Sequence, residues 1–553
     1  MDTVKACAKS CDKLPVRSID AAMTCDRWLI YVSVFTVVTS VIGLVATLAG
    51  AFHAPQVLLV SLLLTAIYGY VVRNREQKLP GVAPRWRHVL LLLLIALPLR
   101  VPVYHYVMGG QDEGLYVNIA HYIQTTGGID VHDSIRQSLQ GTPYLNRYDA
   151  ANHLGTSYVA GVYKDGSADS RLQFQFYDLF PVWMALFIGV FGSTAGVYAL
   201  TFFALLSLIF FYRLALLLTG RHHAALIAGG LLSLSPLHAF FSKFPVTEIP
   251  TLCFSLIGFL LLAAYCSACK EERRGFWLCV SVGAFLCLFT TRISGFMYVP
   301  FMMALAWVAL LMDEDASRRK GLQLWAIAAT VAYLASVLYG LKWSSHYAHD
   351  IYAGSFQPLL GTHWKAVLGV LVLCVFSFWL VTALWVRRHR LEQGYRRYIQ
   401  GAVNWLPMAI VYVALCVGLL KVYWLGWTSH YVSSYTRWHL ADAGWYGASA
   451  TSMWMLVVFM GPLLVLAFLV SMVGRSRDSR VVFLRWFAAG FFVYAVILQW
   501  VIPYSPYYTR YLLSAVVPYA VLFTVCIWSK WPRGRFRAVL SFALIISLFY
   551  GAV

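Results

Sequence analysis

A chain of 553 residues that is 60% hydrophobic and only 12% charged, with a mean hydropathy of +0.68, cannot enclose so much apolar surface in a core of its own, which excludes a water-soluble protein. The formal net charge of +20 does not mean nucleic acid, because no basic face interleaved with stacking aromatics occurs. Lys and Arg fall instead in short loops between apolar runs, as cytoplasmic loops of membrane proteins do.

The N-terminus carries Lys5, Lys9, Lys13 and Arg17 before Trp28 and has no small-residue cleavage site after its first apolar run. It reads as a retained cytoplasmic tail, residues 1–27. Two spans follow, about Trp28 to Phe52 and Pro55 to Val72, and then a basic loop with Arg73, Arg75, Lys78, Arg85 and Arg87. A third span, His88 to Tyr104, exits to the opposite side. It delivers the one long polar stretch there, residues 105–178, which is expected to hold short amphipathic helices against the membrane.

Phe174 to Gly192 then forms an apolar half-span, expected at the outer interface or re-entering. Further spans run Thr194 to Leu218, Ala224 to Phe241, Ile249 to Cys266, Phe276 to Thr291, Ser294 to Leu311 and Gly321 to Tyr339. Beyond them come Trp364 to Val386, Ala402 to Leu420, Ala450 to Val473, Val481 to Val501, Leu512 to Trp528 and Ala538 to Val553. The expectation is an all-α polytopic membrane protein, a bundle of about 13 to 15 transmembrane helices with one large outer loop. The basic loops at Arg221, Lys270 to Arg274, Arg318 to Lys320, Arg387 to Arg390, Arg475 to Arg480 and Arg533 to Arg537 all fall on the side of the N-terminus.

Cysteines lie in the N-terminus, inside apolar runs, or at Cys266 and Cys269, and none in the expected outer loops, so no disulfide framework is indicated. No Walker A sequence occurs, which argues against ATP as an energy source.

Asp112 and Glu113 open a helical stretch, Asp-Glu-Gly-Leu-Tyr116, at the start of the outer segment of a chain that otherwise avoids acids. In a helix Asp112 and Tyr116 share a face with Ile119 and Ile123, and the carboxylates occupy the positive end of its dipole. An N-cap explains an acid here; it does not explain a helix starting at a membrane exit beside Gly109 and Gly110. On the same side the sequence collects Lys243 and Glu248 in Ser-Lys-Phe-Pro-Val-Thr-Glu248, Arg292 in a short break between two apolar runs, and Arg510 among Tyr504, Tyr507, Tyr508 and Tyr511. Each of these needs a partner, a water-filled cavity or a ligand. The competing readings are plain ones: Arg292 snorkels to lipid phosphate, Arg510 anchors at the interface, Lys243 pairs with Glu248.

Taken in order, these features resemble the GT-C superfamily of polytopic glycosyltransferases, in the branch of protein mannosyltransferases and the bacterial aminoarabinose transferase. The resemblance lies in Asp112-Glu-Gly-Leu-Tyr116, Phe174 to Gly192, Ser235-Pro236 through Glu248, Thr291-Arg292 and Arg510-Tyr511. Residues 88–311 then form the catalytic module, with 28–87 as two additional helices and 312–553 as a C-terminal transmembrane module without a soluble domain. The family's basic residue just after the first loop has no clear counterpart other than Lys164 or Arg171.

What the resemblance implies is transfer of a sugar from a polyprenyl-phosphate carrier to a lipid, glycan or protein acceptor on the outer face of a bacterial inner membrane. Asp112 would act as base with Glu113 beside it. Arg292, Arg510 and Lys243 would hold the donor phosphate, and Tyr116, Glu248 and Tyr508 would contact substrate. Members of the superfamily differ in whether a divalent cation, Mg²⁺ or Mn²⁺, joins the carboxylates. The rival readings are a transporter or flippase of lipid-linked saccharide, which calls for charges near the midplane of several spans, and a non-catalytic scaffold.

Overall fold

The computed structural model describes residues 16–72, 79–104, 112–151, 157–159, 161–164, 171–268, 275–304, 315–360, 393–427, 456–476, 478–497, 510–532 and 534–550, with scattered positions between 363 and 380. Its helices come first in the pair α1 (Val16–Leu48) and α2 (Ala54–Val72), then α3 (Trp86–Arg100) and α4 (Asp112–Thr126). The polar segment continues with β1 (Val131–His132), α5 (Ser134–Ser138), α6 (Tyr144–Ala151), β2 (Ser157–Val159), β3 (Val162–Lys164) and β4 (Arg171–Phe174). The four strands form one antiparallel sheet in the order β1-β4-β3-β2. The short helices were expected and the sheet was not, because strands of two to four residues carry no readable alternation.

The half-span is α7 (Leu179–Phe191). It packs on α1, α2 and α4, and Trp183 Nε1 donates to Ser40 Oγ at 2.9 Å. Next come α8 (Tyr198–Thr219), α9 (His222–Ser233), α10 (Pro236–Phe241), α11 (Glu248–Ser267) and α12 (Gly275–Thr291). The expected span Ala224 to Phe241 is therefore two helices. Pro236 has no N–H to continue α9 and disfavours helical geometry at Ser235, so it starts α10 instead.

At the centre of the bundle, α11 is buried along nearly its whole length between α8 and α12. Gly258 lets α12 come close: a Cβ there would lie 2.6 Å from the Phe285 ring. Ser281 of α12 donates to the Gly258 carbonyl at 2.7 Å and accepts from Trp325 Nε1 at 2.9 Å, tying α11 and α12 to α13 (Ala316–Trp343). The rest comprises α14 (Ser345–Leu360), α15 (Gln393–Trp427), α16 (Pro462–Val473), α17 (Ser479–Ile497), a π turn at Leu512–Val516 leading into α18 (Val517–Lys530), and α19 (Arg535–Tyr550).

Eight helices among the described residues are long and apolar enough to cross a membrane, and five more apolar helices of 10–17 residues accompany them. The protein is an all-α polytopic membrane protein. Of the expected spans, Trp364 to Val386 lies mostly outside the described residues. Ala450 to Val473 is interrupted where Gly461, at φ 86°, precedes Pro462.

Among the described residues, three further arginines that the sequence reading passed over, besides Arg136 in α5, are buried within the bundle. Arg213 of α8 pairs with Asp26 of α1 at 2.9 Å. Arg485 donates to the Asn404 carbonyl at 2.8 Å. Arg100 ends α3 and donates to the carbonyls of Ala96 and Ser233, both at 2.9 Å, and to His238 Nδ1 at 2.6 Å. His238 Nε2 in turn contacts Ser207 Oγ at 2.8 Å, and Ser207 donates to the Ala204 carbonyl at 2.7 Å. This polar knot joins α3, α8, α9 and α10, and each partner repays part of the cost of burying the guanidinium.

Candidate functional site

Four helix ends meet at one end of the bundle. Asp112 and Glu113 lie in the first turn of α4, Glu248 in the first turn of α11, Arg292 just past the last turn of α12, and Arg510 two residues before the π turn that leads into α18. The acids occupy positive helix ends and Arg292 a negative one, each favoured by the dipole. Arg510 stands at a positive end, against the dipole, so its charge depends on the carboxylates around it.

The geometry supplies them. Arg510 Nη2 is 2.8 Å from Asp112 Oδ2, and its Nε is 3.3 Å from Glu248 Oε1. The same Glu248 oxygen takes Arg292 Nη1 at 2.5 Å. Arg292 also reaches Thr247 Oγ1 at 3.5 Å and donates through Nε to Ser294 Oγ. Tyr511 lies against both cations, with the Arg292 guanidinium carbon 4.5 Å and the Arg510 carbon 5.2 Å from its ring centre. Glu248 is fully buried, Arg292 and Arg510 nearly so, and Asp112 is the member that keeps some exposure, 25% of its side chain. Glu248 Oε2 and Glu113 Oε2 are buried without a hydrogen-bond partner among the described residues.

Local sequence makes each of these positions. Arg292 has extended backbone, φ −147° and ψ 125°, which ends α12 and starts a 3₁₀ turn at Ile293–Tyr298. Gly295 permits that turn to fold back, since a Cβ would sit 2.8 Å from the Phe289 ring. On α4, Tyr116, Ile119, Ala120 and Ile123 form the buried face that seats the helix on α7 and leaves Asp112 towards the cations.

Burial works against the Arg292 charge, but Glu248 beside it outweighs this and holds its pKa above the ordinary value. Burial also raises the Tyr116 and Tyr347 hydroxyls, and the Asp112 carboxylate adds to the effect at both. They are neutral hydrogen-bonding groups, not bases.

The structure thus brings together Asp112, Glu248, Arg292 and Arg510. Tyr116 is the second rank of the same site: its ring is buried, stacked on Phe176 at 4.5 Å and set edge-on to Phe180, so it shapes the wall. Lys243 does not join. Its ammonium lies 4.9 Å above the Tyr104 ring, and among the described residues it pairs with neither Glu248 nor any other acid. Tyr508 lies outside the described residues. Tyr511 is the residue that sequence reasoning undervalued; its only signal was its position next to Arg510.

Among the described residues no group of three or more His, Cys, Asp or Glu side chains is placed to hold a metal ion. Asp112 and Glu248 each face a guanidinium, a donor set suited to anions and hydroxyls. No protein-family model matches this chain, and no curated protein matches it.

Proposed function

We propose that the chain is a membrane glycosyltransferase that moves a sugar from a polyprenyl-phosphate carrier to a hydroxyl-bearing lipid, glycan or protein acceptor at the face where the outer segment lies. The observation that carries this reading is the convergence of Arg292 and Arg510 with the partly exposed Asp112 at a single end of the bundle.

The reaction forms a bond between the acceptor oxygen and the anomeric carbon and breaks the bond from that carbon to the phosphate oxygen. The acceptor proton goes to Asp112, and the bonding pair leaves with the lipid phosphate. Arg292 and Arg510 suit the second task, because fixed guanidiniums stabilise charge as it develops on the leaving oxygen. In the resting site Arg510 is held by Asp112. An arriving phosphate competes for Arg510 and turns the Asp112 oxygen towards the acceptor hydroxyl, so donor binding prepares the base. Glu248 remains on Arg292 and keeps the pair of cations from repelling one another.

The experiment uses purified protein with radiolabelled polyprenyl-phosphate sugars and a crude cell-envelope acceptor. Transfer by wild type and its loss by about 10²-fold or more in Asp112→Asn are expected. Transfer that survives the substitution removes Asp112 as base, and absence of transfer with every donor offered overturns the reading.

A further inference from the structure

The opposite end of the same helices carries a second arrangement, independent of the first. The helix α11 is 20 residues long from Glu248 to Ser267 at its far end, about 30 Å at 1.5 Å per residue, which is the thickness of a bilayer core. There a partly open groove, enclosing about 60 Å³, lies between α8, α11, α13, α17 and α18. Its wall is apolar, with Leu218, Leu262, Phe483 and Leu522 prominent, and Arg480 and Ser479 stand at its edge.

That edge is basic. Arg480 chelates Asp478 through Nε at 2.9 Å and Nη2 at 2.8 Å and donates through Nη1 to Ser267 Oγ. Lys530 Nζ reaches the same carboxylate at 3.0 Å. Arg221 is anchored alongside by its bond to the Ser529 carbonyl. Two cations thus share one carboxylate, and the third, Arg221, has no acid partner there among the described residues. The Lys530 ammonium has three N–H groups and the Arg480 guanidinium five, so donors remain on both.

We infer that this cavity binds an anionic glycerophospholipid, with one acyl chain between the helices and the phosphate on the rim formed by Arg221, Arg480 and Lys530. An apolar wall does not select among lipids, since every tail is as apolar as leucine. The selection comes from the rim, where surplus positive charge meets the phosphate; basic pockets between membrane helices act in this way. A soluble anion would leave the apolar cavity unfilled, and a zwitterionic lipid would bring its own cation to the rim.

The test is native mass spectrometry of the full chain in detergent, incubated with equal amounts of dioleoyl phosphatidylglycerol and dioleoyl phosphatidylcholine. Wild type is expected to retain the glycerol lipid over the choline lipid by about fivefold for each rim cation that acts. Ala263→Trp, which places an indole in the cavity, is expected to lose both lipids. The double variant Arg221→Gln with Lys530→Gln, at exposed positions, is expected to keep lipid but bind the two kinds nearly equally. It carries the test by itself should the indole prevent folding. Equal retention of the two lipids by wild type overturns the inference, as does undiminished lipid in a folded Ala263→Trp or unchanged preference in the double variant.

Discussion

Arg510 holds Asp112 at 2.8 Å, fastening a late helix of the chain to the first helix of its long polar segment. The pair also places the proposed base and one proposed phosphate ligand within a single movement of each other.

Replacement of Arg510 by Ala is expected to lower sugar transfer by about 10²-fold or more, the usual cost of losing one preorganised donor at a developing negative charge. Arg510→Lys should recover only part of it, because an ammonium cannot reach Asp112 and Glu248 with the forked geometry of a guanidinium. Equal activity of the Lys variant and wild type would count against the bidentate role.

Glu248 is a different kind of residue. It is fully buried and shares one oxygen between Arg292 and Arg510. Glu248→Gln keeps the shape and removes the charge, leaving two buried guanidiniums poorly compensated, with an expected loss of about 3–5 kcal/mol. Thermal unfolding in detergent reads this as a large drop in melting temperature. An unchanged transition would mean that water or lipid phosphate already compensates the arginines.

Tyr511 tests the stacking. Tyr511→Phe retains a ring against both guanidiniums and is expected to cost less than about 1 kcal/mol in transition-state stabilisation, whereas Tyr511→Ala should cost about 1–2 kcal/mol. Kinetics of transfer at saturating acceptor separate the two. Comparable defects in both variants would assign the effect to the hydroxyl.

Two carboxylates outside the spans give stability opposite pH dependence. Burial pushes Asp178 up to about 7 from an ordinary value of 3.8, although the Tyr339 hydroxyl bonds to it at 2.6 Å. The folded state therefore holds the proton more tightly than the unfolded state. That contribution to stability is fully present below about pH 4 and is lost as the pH rises through about 7. At Asp478, Arg480 overcomes the effect of burial and holds the carboxyl at about 2. Its contribution, about 2 kcal/mol, is present above about pH 4 and lost as the pH falls through 2. Melting temperature against pH should lose its decline between pH 4 and 7 in Asp178→Asn. A decline that persists would place the titrating group elsewhere.

Much of this architecture was legible because long apolar runs leave few alternatives: α8 and α11 fall close to where hydropathy placed them. Asp112 was conspicuous as an acid in an acid-poor chain, and Arg292 as a cation in a break too short for a loop. The meaning of Glu248 was not legible. Its partner Arg292 is a helical hairpin away, and the apolar pattern fixes neither the rotation of α12 about its axis nor the depth at which its end lies. For the same reason Lys243, equally suggestive in sequence, turned to Tyr104 instead. The sheet and the split at Ser235-Pro236 depend on a few residues each, below the window in which periodicity is measured.

The polar knot around His238 has a further consequence. A guanidinium cannot accept a hydrogen bond, so Arg100 must donate to Nδ1. The ring proton then sits on Nε2 and points at Ser207, whose own proton is committed to the Ala204 carbonyl. All the donors in the row therefore point one way, and the row ends on a backbone carbonyl that cannot pass a proton on. The buried imidazole is therefore held in a single tautomer, with both ring nitrogens committed.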